Sequence, residues 1–138
     1  MRTQNARGGF GWGVHNSKDP WNSSACEDID SIDPLARLST QTGYRRQEVI
    51  AALERALPWV LSNQNEDGGF VFMRASSFCY GHDLMCSGPD ESAMFPTWFR
   101  TLSLAILGQV LPGSPVSEIP WQFCQCPGMQ FWWADGSA

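Results

Sequence analysis

The chain has 138 residues, 43% of them apolar, with a formal charge of −5, seven Trp and eight Phe. That length allows one domain or part of one, and that apolar share supplies a core, which excludes a disordered tail. The net negative charge, and the lack of any basic run longer than Arg45-Arg46, exclude a phosphate-backbone partner, so no nucleic acid is expected.

The opening Met1-Arg2-Thr3-Gln4-Asn5 has no apolar signal region. The longest apolar stretch, Leu102 to Leu111, is broken by Ser103, Gly108 and Gln109 and is too short to cross a bilayer, so no transmembrane segment is expected. Five cysteines, an odd number without an export signal, read as reduced thiols of a cytoplasmic protein. Cys124-x-Cys126 lacks partners at zinc-site spacing, and no metal or cofactor is expected.

In chain order, Gln4-Asn5-Ala6-Arg7-Gly8-Gly9-Phe10 is met first, and it reappears as Gln64-Asn65-Glu66-Asp67-Gly68-Gly69-Phe70. The same offset pairs Cys26 with Cys86 and Asp30 with Asp90. Pro34-x-x-Arg37-Leu38 has a looser echo in Pro96-x-x-x-Arg100-Thr101-Leu102. Such an order of landmarks marks two copies of one supersecondary unit.

Asp33-Pro34 predicts a helix start, with Asp capping free N–H groups and Pro at the first helical position; this helix should run to about Thr40 and stop near Gly43. Val49, Ile50, Leu53, Leu57, Val60 and Leu61 recur at three- and four-residue steps and predict a second helix over 48–63, with Pro58 inside it. A third opens between Ser92 and Pro96, runs through Trp98, Phe99, Leu102, Ile106 and Val110, and ends at Pro112-Gly113. The irregular, Trp/Cys/Pro-rich stretch 114–138 reads as a cap. Repeat 1 thus covers about 4–63 and repeat 2 about 64–113. The turn of repeat 1 has almost nothing before it, so missing upstream repeats or a partner subunit are expected, since such units rarely bury their apolar faces alone.

The segment from Arg55 through Trp59 and Gln64 to Gly68-Gly69-Phe70 resembles the QW motif of the terpenoid cyclase and protein prenyltransferase superfamily, and Gln4, Gly8, Gly9 and Phe10 repeat its tail. The resemblance covers about residues 4–111. It implies an all-α fold, an incomplete α/α toroid of helical hairpins, and a larger protein acting on an apolar isoprenoid. Cys26-Glu27-Asp28-Ile29-Asp30-Ser31-Ile32-Asp33 resembles the Asp-x-Asp-Asp-Thr motif of cyclases that protonate an alkene or epoxide. It implies Asp30 as proton donor with Asp28 and Asp33 beside it, although Ser31 and Ile32 stand where that motif has Asp and Thr.

The bland reading gives these acids, and Asp90-Glu91 in the second copy, helix-start duty at equivalent places. The Asp-Asp-x-x-Asp signature of magnesium-dependent synthases and a Gly-rich phosphate loop are both absent. His82 between Cys79 and Cys86 allows a thiol–imidazole pair, though a loop is the simpler reading. His15, beside Asn16 in a Gly-rich stretch, reads as a loop residue too. Trp12, Trp21, Trp98, Trp132 and Trp133 line either a cleft or the core. The alternative function is a non-catalytic repeat module that binds a protein or glycan through an aromatic face.

Overall fold

The computed structural model describes residues 2–11 and 23–122. Ser24 starts the first helix, α1 (Ala25–Gln41): its side chain accepts from the Cys26 N–H, and Glu27 reaches back to the Ser24 backbone in a capping box. The helix therefore begins well before Asp33-Pro34, and Pro34 sits inside it. Pro34 offers no N–H to the Asp30 carbonyl, and both residues lie on the exposed side of the helix. Asp33 bonds Arg37 one turn on, at 2.6 Å, instead of capping.

α2 (Arg46–Leu61) follows after a short turn in which Arg45 is left-handed (φ 52°), and it continues past Pro58. Then come four two-residue strands, β1 (Phe70–Val71), β2 (Phe78–Cys79), β3 (Cys86–Ser87) and β4 (Ser92–Ala93), and finally α3 (Met94–Val110). β1 pairs antiparallel with β4, and β2 with β3.

The described residues form a mixed domain of three helices and two small antiparallel sheets, which corrects the expectation of an all-α incomplete toroid. The reason lies in the stretch between Phe70 and Ala93. It is too polar and too rich in Gly, Ser and Cys to coil, so it satisfies its backbone by pairing across itself. Cys79 and Cys86 face each other across β2 and β3 and form a disulfide, which corrects the expectation of reduced thiols and removes the thiol–imidazole pair with His82.

The core lies where the three helices meet. Ile29, Ile32 and Ala36 of α1 pack with Val49, Leu53, Ala56 and Val60 of α2 and with Leu102, Ile106 and Leu107 of α3. Phe10 and Phe70, the aromatic ends of the two diglycine turns, plug into it. In each turn the Asn N–H donates to the second Gly carbonyl, the first Gly N–H donates back to the Asn carbonyl, and Gln bridges Phe. Each Phe N–H then donates to the fourth residue of a helix: Phe10 to Asp28 of α1, Phe70 to Thr97 of α3.

The two turns therefore match in their backbone bonds and in the helix position each reaches, but the register slips between them. Cys26 is helical whereas Cys86 lies in β3, and Asp30 is helical whereas Asp90 is a left-handed loop residue (φ 57°). Among the described residues no helix is long and apolar enough to cross a membrane.

The two turns make different demands on their first glycine. Both have positive φ, 106° at Gly8 and 84° at Gly68. A Cβ on Gly8 would lie 2.0 Å from the Arg55 carbonyl oxygen, whereas one on Gly68 would meet nothing within 4 Å. Gly68→Ala should then cost about 1 kcal/mol from its backbone conformation alone, and Gly8→Ala at least about 3 kcal/mol because α2 must also move. Thermal or urea unfolding of the two variants checks the ranking, and equal losses would refute it.

Candidate functional site

The chemistry expected of the acidic segment depends on where α1 places its carboxylates. Position 28 points inward beneath the first diglycine turn, and its carboxylate is fully buried. Oδ1 accepts from the Phe10 N–H at 2.9 Å and from Ser23 Oγ at 2.7 Å. Oδ2 accepts from Trp59 Nε1 at 2.8 Å and from Arg100 Nη1 at 2.6 Å. These four donors come from the first turn, the approach to α1, α2 and α3, and they fill the acceptor capacity of the carboxylate.

Arg100 is equally buried, and it also donates to the Val71 carbonyl at 3.0 Å and the Phe72 carbonyl at 3.2 Å. Burial pulls its guanidinium below the ordinary value, and the adjacent Asp28 opposes that shift. An arginine stays protonated in such a place, so the pair is ionic and needs every one of these bonds.

Asp30 lies on the outer face of α1 and is exposed; Asp33 pairs with Arg37. The three candidate acids do not converge on one cavity. Asp90 and Glu91 leave α3 without a side-chain cap and organise the preceding loop instead. Asp90 Oδ1 accepts from the Ala75 N–H, its carbonyl from Asn65 Nδ2, and Glu91 Oε2 from the Gly88 N–H. His82 is exposed, and its Nδ1 accepts from the Leu84 N–H.

The Cys26 thiol, near the start of α1, is pushed up to about 11 by burial, with Glu27 and Asp30 adding to the shift. Among the described residues no group of three or more His, Cys, Asp or Glu is placed to hold a metal ion. His15, Trp12, Trp21, Trp132, Trp133 and the Cys124–Cys126 pair lie outside the described residues.

Among the described residues, two surfaces have apolar character. One is a row of rings laid along the start of α3 by the disulfide-closed hairpin. Phe72 contacts Phe78 (4.1 Å between centroids) and Tyr80 (5.1 Å), Tyr80 meets Phe95 (4.8 Å), Phe95 meets Phe99 (4.5 Å), and Phe99 stacks with Trp98 (4.9 Å). The other is an open groove of about 400 Å³ between α2 and the end of α3, lined by Ile50, Leu57, Val110, Leu111 and Pro112 with Glu54 as its carboxylate.

Sequence reasoning missed Arg100 and Trp59 as the partners of Asp28. A signal was present: Arg100 is the sole charged residue of a largely apolar α3. A buried cation there must find an acid. Comparisons with known proteins supply no relative: no protein-family model matches, and no curated protein or solved structure matches significantly.

Removing one partner of the buried pair strands the other. Arg100→Met and Asp28→Leu should each cost about 3–5 kcal/mol, whereas the double replacement should recover part of the loss. Chemical denaturation of the three variants measures this, and additive losses would sink the coupling.

For Cys26 the folded value stands above the ordinary 9.0, so the protonated thiol is what the folded chain favours. Its contribution to stability is full below about pH 9 and lost as pH rises toward 11. With Cys124 and Cys126 changed to Ser, iodoacetamide alkylation of the folded chain should climb only near pH 11. A midpoint at the ordinary thiol value would contradict the burial argument.

Proposed function

We propose that this chain is a non-catalytic binding module that holds a partner protein on the aromatic face of α3. The observation that carries the reading is the row of rings, which starts at buried Phe72 and ends at Trp98, 52% exposed, with Met94 one turn earlier at 87%. Trp and Met are favoured at the centres of protein interfaces because they supply large, adaptable apolar contact. The ring next to Trp98 in the row is Phe99. A sugar would ask for hydrogen-bonding groups beside its stacking ring, so a protein surface suits this face better than a glycan.

Acid-initiated cyclisation of an isoprenoid, the other function the sequence suggests, requires a carboxylic acid facing a dry apolar cavity. The described residues give Asp28 to the Arg100 pair, Asp33 to Arg37, and Asp30 to the exposed face of α1. These placements support the binding reading instead. A cytoplasmic location sits poorly with the Cys79–Cys86 disulfide, which is the kind of bond that persists in oxidising compartments.

The test is affinity capture with the full chain, then reconstitution with the captured protein in purified form. Trp98→Ala should weaken that complex at least about tenfold and leave unfolding within about 0.5 kcal/mol of the parent. Undiminished affinity would remove the aromatic face from the account. So would a cyclised product, formed from an isoprenoid polyene by the parent chain and absent with Asp30→Asn.

A further inference from the structure

We infer that the second diglycine turn, Gln64 to Phe70, is a docking site for an α-helix supplied by a partner protein. The first turn shows what such a device holds. Gln4 Nε2 donates to the Gly8 carbonyl and, at 2.8 Å, to the Ala52 carbonyl in the middle of α2. Arg55 Nη2 donates to Gln4 Oε1 at 2.6 Å. Gly8 lies against the Arg55 carbonyl, so close that no side chain fits between them. The helix held in this way is α2, which follows the helix that receives Phe10.

The second turn repeats the internal bonds. Gln64 Nε2 donates to the Gly68 carbonyl at 3.0 Å, the Asn65 N–H to Gly69 at 2.8 Å, and the Gly68 N–H to Asn65 at 3.0 Å. Phe70 is received by α3 through Thr97. After α3, however, residues 111–122 form turns, and among the described residues no helix lies on this clasp. Gln64 is exposed, and the space over Gly68 is open. A place built in the same way is filled at one turn and, among the described residues, uncovered at the other.

The charges indicate the occupant. Glu66 and Asp67 stand where the first turn has Ala6 and Arg7, and both are exposed. A helix that meets them gains from a basic residue. The fitting partner segment therefore has a small residue where α2 has Ala52, so that the backbones approach, and Arg or Lys three residues on, where α2 has Arg55. The residues used here, Gln64 to Gly68, are not those of the aromatic row, and either assignment survives the failure of the other.

A peptide of residues 44–63, stapled into a helix on the side away from Ala52 and Arg55, is the probe, titrated with the full chain by fluorescence anisotropy. Saturable binding is expected. Arg55→Ala in the peptide should weaken it about fivefold, the worth of one hydrogen bond, and Gln64→Ala in the chain, which removes two, about twenty-five-fold; the two together should lose no more than Gln64→Ala alone. Gln4→Ala should leave it unchanged. Four outcomes overturn the proposal: no saturable binding; weakening by Gln4→Ala instead, which would mean exchange with the chain's own α2; loss with Trp98→Ala, which would move the peptide to the aromatic row; or self-association abolished by Gln64→Ala, which would make the occupant a second copy.

Discussion

One carboxylate ties the first turn to the three helices. Asp28, on α1, receives the backbone of that turn, the indole of α2 and the guanidinium of α3, and it is fully buried. A buried ion pair is an uneconomical way to gain stability, since desolvating two charges offsets most of their attraction. What it supplies is uniqueness. Leu, Ile and Ala side chains from three helices pack in many similar ways, whereas four directed bonds to one carboxylate allow a single arrangement. The core fills space around that anchor.

The same anchor separates the acids of an acid-rich segment. Asp28 has no acceptor capacity left for a substrate, and the neighbouring acids are turned to other duties: Glu27 closes the capping box, Asp33 pairs with Arg37, and Asp30 faces outward. An acidic cluster in sequence became four separate environments, because a helix spreads consecutive residues around its circumference.

Helical periodicity is legible for α2 and α3, whose observed bounds fall within two residues of those expected, because their apolar positions recur at helical steps. The start of α1 is not, because Asp33-Pro34 has the chemistry of a helix opening and hides the real cap at Ser24. The sheets leave no mark in the sequence, since two-residue strands carry no period. Gln4 to Phe10 and Gln64 to Phe70 are recognisable as copies, and both close with the same internal bonds. The pairing of Cys26 with Cys86 and Asp30 with Asp90 is a coincidence of spacing: the segment between turn and helix is longer in the second copy, so equal sequence offset ceases to mean equal place. Of the candidate site, the importance of Asp28 can be read but its partners cannot, for they lie in helices that only tertiary folding brings near.

The bond between Asp28 and Arg100 joins residues 72 apart in the chain. During synthesis, α1 and α2 leave the ribosome long before the arginine does. Until it arrives, the aspartate has no cation beside it, and the core between those helices lacks its third wall. The first half of the polypeptide is therefore incomplete on its own, and the loop that must close to finish it spans most of the described chain.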